Sequence, residues 1–357
     1  MKRLKRVPIC VAATVLASCA AIVLACVSCR TQQTDSPYFN LRGIVLAWDD
    51  VDTDTTVINW LGKMKETGMN TISIFGGPGY ESPEYAAMKR KCVDLGFDFE
   101  YEEHRMTLML PRELFAEHPE YFRMNEKGER VPDFNGCPSN PEALRVISEN
   151  VGKLAEIYSP TNHRYYFWLH DGGDKCHCPE CEKYNLSDQG LIFENTVIKA
   201  LREIDPEAML AHLAYDKTTP APTCIKPEDG IFLEFAPIFR CHERPLTDSL
   251  ACWEERTEWN NGDYLRMLKE NLEVFGSDNA QILEYWLDVS LASRWRKPQS
   301  RLNFSKDVFE SDLRTYADLG IRNITCYGAW ADEYYAKTFG DISFIDDYCN
   351  GLKDFRK

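Results

Sequence analysis

The densest group of reactive side chains is the run Tyr165-Tyr166-Phe167-Trp168-Leu169-His170-Asp171-Gly172-Gly173-Asp174-Lys175-Cys176-His177-Cys178-Pro179-Glu180-Cys181. Its aromatic start reads as a buried strand. The His-Asp-Gly-Gly-Asp that follows puts ionisable groups on a tight turn that a ligand can approach closely. Capping a helix uses one carboxylate, so two carboxylates, a histidine and three cysteines in so short a stretch point to a catalytic loop as well as a structural one.

Cleavage of a glycosidic bond needs one carboxylic acid to protonate the leaving oxygen and a second carboxylate as nucleophile or base, about 5 Å away for retention and roughly 6.5–9.5 Å for inversion. Asp171 and Glu284, at the ends of different predicted strands, are the leading pair, with Asp171 as the acid. Trp168 and His170 beside Asp171 would raise its pKa by desolvation and hold its orientation. The structural alternative for Glu284 is an ion pair with Arg294 or Arg296. Glu234 and Asp288 are the reserves for the second carboxylate, and Asp49, His170 and Asp174 are candidates to hydrogen-bond sugar hydroxyls. Trp48, Tyr285, Trp286, Tyr327 and Trp330 are candidate stacking platforms for sugar rings; aromatic residues at strand ends also serve as core plugs.

Eight short apolar runs must carry these residues: 43–48, 71–75, 97–101, 165–169, 209–214, 231–235, 282–286 and 323–327. Amphipathic stretches at 57–67, 142–158, 191–203, 263–275 and 306–319 separate most of them. This alternation predicts an α/β fold of the (β/α)8 TIM-barrel type, with an open doubly wound sheet as the competing architecture. In a barrel, the polar and aromatic residues that close these runs meet at one face. The proline-rich insert 110–140 is read as a wall of the cleft.

Cys176-x-Cys178-x-x-Cys181 holds an odd number of thiols. Cys137, on the preceding inter-strand loop, can complete a four-thiolate structural zinc site, with His177 as the alternative fourth ligand. Disulfides, with Cys137 bridging one of the three, are the competing account.

Three stretches together carry a resemblance: Leu114-Phe115-Ala116-Glu117-His118-Pro119-Glu120-Tyr121-Phe122, then Cys137-Pro138-Ser139-Asn140-Pro141-Glu142, then Asp171-Gly172-Gly173 leading into Cys176-His177-Cys178-Pro179-Glu180-Cys181. In this order they resemble the bacterial family catalogued as domain of unknown function 4838. The resemblance implies a glycosidase-like (β/α)8 barrel distantly similar to α-glucuronidases and β-hexosaminidases. His170 to Lys175 is also similar to the His-x-Gly-Gly-Asp-Glu signature of hexosaminidases, but Lys175 stands where that signature has its acid.

The basic start Met1 to Arg6 and the apolar stretch through Cys29 form an export signal. Small residues precede Cys19, Cys26 and Cys29 as in a lipoprotein cleavage site. Cys26 is the expected lipidation site, since Cys19 would leave apolar Ala20 to Ala25 on the mature chain and Cys29 has an unusual cysteine three residues upstream. The expected layout is a signal and anchor region over 1–29, a polar linker over 30–40, and one barrel domain over 41–357, exported and lipid-anchored to the bacterial cell envelope. The formal charge of −15 becomes more negative once Lys2, Arg3, Lys5 and Arg6 are removed, which argues against nucleic acid as a partner. A glycan-cleaving lipoprotein is the first functional expectation, and a non-catalytic carbohydrate-binding barrel is the alternative. A metal-dependent hydrolase using His104, His170, His212 and Asp171 is the weakest, since no HxH or HExxH spacing occurs.

Overall fold

The computed structural model describes residues 36–51, 58–254 and 258–357. The signal region with Cys19, Cys26 and Cys29 lies outside the described residues, as does most of the 30–40 linker.

Among the described residues, nine strand segments follow one another: β1 (Leu41–Ala47), β2 (Thr71–Phe75), β3 (Asp98–Glu100), β4 (Glu102–His104), β5 (Arg164–Trp168), β6 (Met209–Tyr215), β7 (Ile231–Ala236), β8 (Gln281–Glu284) and β9 (Asn323–Cys326). Every pairing is parallel, in the order β3-β2-β1-β9-β8-β7-β6-β5-β4. Only Tyr101 separates β3 from β4. β3 pairs with β2 and β4 with β5, so the two segments are one barrel strand with a break, and they close the ring. At the break, the Glu102 N–H donates to Ser73 Oγ at 2.9 Å, which supplies a partner where the regular ladder is interrupted. The result is an eight-stranded (β/α)8 barrel and not an open sheet, because the interrupted β3–β4 strand joins the two ends of the order in which β1 pairs with β9.

Each of the eight sequence runs contains a strand. The third extends to His104, and the seventh ends at Glu284, so Tyr285 and Trp286 pass into the loop. Helices Pro141–Ile157, Leu186–Arg202, Asn261–Phe275 and Lys306–Asp318 match the amphipathic stretches. Asn140, Asn185, Asn260 and Ser305 begin them, each accepting a backbone N–H from the first turn. The insert 110–140 folds into two short 3₁₀ turns and a pair of isolated bridges, Phe122 to Gly136 and Met124 to Arg130, in keeping with its prolines. Among the described residues, no helix is long and apolar enough to cross a membrane.

The end of the expected linker already belongs to the body. Phe39 is fully buried against Phe355, with ring centroids 5.1 Å apart, and Tyr38 OH donates to the Ala317 carbonyl at 3.0 Å.

Strand parity decides what faces the barrel axis. On β5, Arg164, Tyr166 and Trp168 point inward. Arg164 Nη2 and Tyr166 OH each donate to Gln281 Oε1 at 2.9 Å, and Trp168 Nε1 donates to Glu234 Oε2 at 2.8 Å. Gln281 Nε2 in turn reaches Glu234 Oε1 at 3.3 Å and Thr325 Oγ1 at 3.2 Å. The barrel therefore has a hydrogen-bonded polar interior, and this network forms the floor beneath its mouth.

Candidate active site

A cleft of about 530 Å3 opens at the carboxyl ends of the strands. Its acids are Glu102, Glu103, Asp171, Asp216 and Asp288, and its aromatic walls include Trp168, Tyr285, Tyr327 and Trp295. Apolar ring faces with a few converging carboxylates suit a polyhydroxylated ring ligand, which offers C–H patches to the aromatics and hydroxyls to the acids.

Asp171 sits on the exposed turn after β5, and its carboxylate accepts no hydrogen bond from any described residue. The turn is held from its backbone. The His170 N–H donates to Asn135 Oδ1 at 2.9 Å, and a Cβ added at Gly173 would fall 2.6 Å from Asn135 Nδ2, so only glycine lets the insert pack this closely.

Asp288 faces the same cleft from the loop after β8 and is only 2 % exposed. Its Oδ1 caps the short helix Val289–Ala292, accepting the Ser290 N–H at 2.9 Å, the Ser290 hydroxyl at 2.6 Å and the Leu291 N–H at 3.1 Å. Oδ2 has no partner among the described residues. Burial pushes this carboxyl up to about 7, against the pull of those donors.

Glu284 is placed elsewhere, and the expected Asp171–Glu284 pair is not assembled. Gln281 joins the interior network and Leu283 lines the cleft, so alternation turns Glu284 outward into the helix layer. There it is fully buried. It accepts from Arg240 Nε at 3.0 Å and from the Tyr316 hydroxyl, while Arg240 Nη2 also binds Asp312 Oδ2 at 2.6 Å. The ion pair expected with Arg294 or Arg296 is made with Arg240 instead. Trp286 follows Glu284 outward and donates its indole N–H to Asp312.

The remaining sequence candidates divide. Tyr285 and Tyr327 line the cleft, with Tyr327 stacked on Phe75 at 5.1 Å. Trp48 is a core plug, 8 % exposed and stacked on Tyr85 at 5.4 Å. Asp49 is exposed outside the cleft lining, Asp174 is paired with Lys217 at 2.6 Å, and His170 lines a small neighbouring depression. Trp330 also lies outside the cleft, with the Lys297 ammonium 5.1 Å from its ring centroid. Glu234 belongs to the floor network below the cleft. His212 points into the helix layer, bonded to Glu194 at 2.7 Å, so the four candidate ligands of a hydrolytic metal centre do not converge.

Other cleft residues were not among the candidates for the carboxylate pair or the stacking platforms. Glu102 is buried with no hydrogen-bond partner for either oxygen among the described residues, and burial, with Glu234 and Glu100 nearby, pushes its carboxyl well above the usual range; burial likewise raises Glu234 to about 8. Glu103 accepts from the Tyr80 hydroxyl and Arg105. His104 Nδ1 donates to the Leu169 carbonyl at 2.5 Å, and burial lowers its pKa, leaving Nε2 as an acceptor on a neutral ring. Trp295 is 51 % exposed at the rim, where Arg294 and Trp295 hold successive positive φ angles of 54° and 53°. Strain of this kind in two non-glycine residues commonly accompanies a functional surface. A hydrophobicity pattern cannot reveal it.

Cys137, Cys176, Cys178 and Cys181 are brought together beside this cleft, their sulfurs within 4.8 Å of one another.

No curated protein is matched by the sequence as a whole. Among solved structures the chain is similar to a GH138 enzyme targeting pectin rhamnogalacturonan II, at 10 % identity and a TM-score of 0.47. That match covers 90 % of this chain but 40 % of the other. It is also similar to a GH5-4 broad specificity endoglucanase from an uncultured bacterium, at 8 % identity and a TM-score of 0.49, over 89 % of this chain and 98 % of the other. The endo-beta-1,4-mannanase of Thermotoga petrophila is similar at 10 % identity and a TM-score of 0.44, over 90 % and 79 %. The sequence itself matches the profile of one family across residues 26–274, and the chain belongs to that family, described as Domain of unknown function (DUF4838).

Proposed function

We propose that the protein cleaves a glycosidic bond, with Asp288 as the general acid and Asp171 as the opposed carboxylate. The observation that carries this reading is that two carboxyls in very different environments face one aromatic-walled cleft. Asp288 is buried and holds its proton to about 7, as a donor to a leaving oxygen requires. Asp171 is exposed on a turn, as a base or nucleophile requires. Environments that set two titratable groups apart in this way divide the acid and base roles.

In the step itself, Asp288 Oδ2 gives its proton to the glycosidic oxygen as the bond from that oxygen to the anomeric carbon breaks. Asp171 either takes a proton from the water that adds to the anomeric carbon or bonds to that carbon first. The carboxyl separation in the complex decides which route is followed. Tyr285 and Tyr327 form one wall for the ring, and Trp295 offers a face at the rim. Lys175 takes no part; its ammonium is 3.1 Å from Glu182 Oε1.

The test is a glycan screen followed by Asp288→Asn and Asp171→Asn. Each variant should lower turnover of a poor leaving group by roughly 10²–10⁴-fold while binding persists. Wild-type rates in both variants would refute the assignment. A glycan that binds the native protein and is never cleaved would support the carbohydrate-binding alternative.

A further inference from the structure

We propose that Cys137, Cys176, Cys178 and Cys181 bind one zinc ion, and that this ion fastens the insert to the turn that bears Asp171. The inference stands on the geometry of the thiol cluster and does not depend on the proposed reaction.

The four side chains are buried, each 0–1 % exposed, and their sulfurs lie within 4.8 Å of one another. Cys137 Sγ is 3.7 Å from both Cys176 Sγ and Cys178 Sγ. A tetrahedron with zinc–sulfur bonds of about 2.3 Å has edges of about 3.8 Å, whereas a disulfide requires about 2.05 Å. All four cysteines are free. One sulfur therefore stands at a tetrahedral edge from two others at once, which no single disulfide would produce.

The surroundings suit thiolates. The Met124 N–H donates to Cys176 Sγ at 3.3 Å, Arg130 Nη1 lies 3.8 Å from the same sulfur, and Ser139 Oγ lies 3.2 Å from Cys137 Sγ and 3.5 Å from Cys178 Sγ. These groups offset part of the negative charge that four thiolates leave around a divalent ion. His177 is turned away to Glu182, with Nδ1 2.8 Å from Oε2, so Cys137 and not His177 completes the set.

A closed shell of four sulfurs has no position for water, and the role is structural. The cluster joins two segments that are otherwise held by few backbone contacts, among them the His177 N–H donating to the Met124 carbonyl at 2.8 Å. Gln189 extends the joint to helix Leu186–Arg202, accepting the Cys176 N–H at 2.7 Å and donating to the Cys176 and Cys181 carbonyls at 2.9 and 3.1 Å. Asn135, two residues before Cys137, accepts the His170 N–H, so the metal site fixes the wall against which the Asp171 turn packs.

Metal analysis of full-length protein purified without chelators should find about one zinc per chain. Cobalt(II) supplied in place of zinc should give thiolate charge-transfer absorption and tetrahedral d–d bands. Cys178→Ser should lower zinc retention against a competing chelator by at least roughly tenfold, while Cys224→Ser, an exposed thiol outside the cluster, should retain it. The proposal is overturned by stoichiometric iron, by peptide mapping that finds these cysteines paired in disulfides, or by zinc-free protein that develops no thiolate–cobalt absorption. If Cys178→Ser does not fold, the cobalt spectrum of the native chain decides alone.

Discussion

Replacing Asp288 by asparagine should change how the stability of this protein depends on pH, in a direction and amount that follow from the structure. The asparagine side chain keeps an Oδ1 acceptor for the Ser290 and Leu291 N–H groups, so the helix cap survives. What disappears is the titration. The Asp288 carboxyl is raised from 3.8 to about 7 on folding, chiefly by burial. The folded state thus holds this proton more tightly than the unfolded chain does. The stability this contributes is complete below 3.8, declines as pH rises, and is gone above about 7. At roughly 1.4 kcal/mol for each tenfold change in proton affinity, the whole effect is on the order of 4 kcal/mol, of which about 2–3 kcal/mol falls between about pH 5 and about pH 8. Asp50 and Glu234, raised by burial to about 7 and about 8, titrate over the same range in both proteins and cancel in the comparison. Urea unfolding followed by tryptophan fluorescence at the two pH values is the assay. The variant should gain about 2–3 kcal/mol on the wild type as pH rises. Parallel stability profiles would show that Asp288 ionises freely in the folded protein, and its role as a neutral-pH acid would fall with them.

Arg240→Met should destabilise the fold by about 3–5 kcal/mol, because it leaves Glu284 and Asp312 buried without their shared cation; chemical denaturation reads this directly. Glu284→Gln is expected to act through stability as well, so a turnover loss from it that appeared without any loss of stability would contradict the outward placement of Glu284. Trp295→Ala should weaken binding of a cleft-spanning glycan by roughly tenfold or more, with the thermal midpoint nearly unchanged, since the ring is half exposed and packs only loosely against Phe239 and Trp253; calorimetry with the ligand and thermal melting separate the two. Mass spectrometry of native protein should find diacylglycerol on Cys26, and an unmodified amino terminus elsewhere would refute the lipid anchor.

The sequence by itself determined the elements. Apolar runs, helical periodicity and asparagine or serine caps are local signals, and the barrel follows because alternating strands and helices have few ways to bury both faces of a parallel sheet. The turn bearing Asp171 was legible for the same reason: the aromatic strand, the glycines and the carboxylates lie side by side in the chain. So was the thiol cluster, once the loop carrying Cys137 was recognised as a neighbour of the loop carrying Cys176.

Only the tertiary structure decided what each strand-end residue faces. Moving one position along a strand exchanges the barrel axis for the helix layer, and Glu284 falls on the outer side, where Arg240, 44 residues earlier, meets it. Asp288 carried no local sign that its carboxyl would be buried at a helix cap and stay protonated to about 7, because desolvation depends on every segment folded around it. Glu102 and Glu234 are remote in sequence, and Glu234 helps push the Glu102 carboxyl up only because closing the barrel brings the two together. Spacing along the chain carries the identity of the groups, but burial and parity are properties of the closed barrel, and these choose which groups can do chemistry.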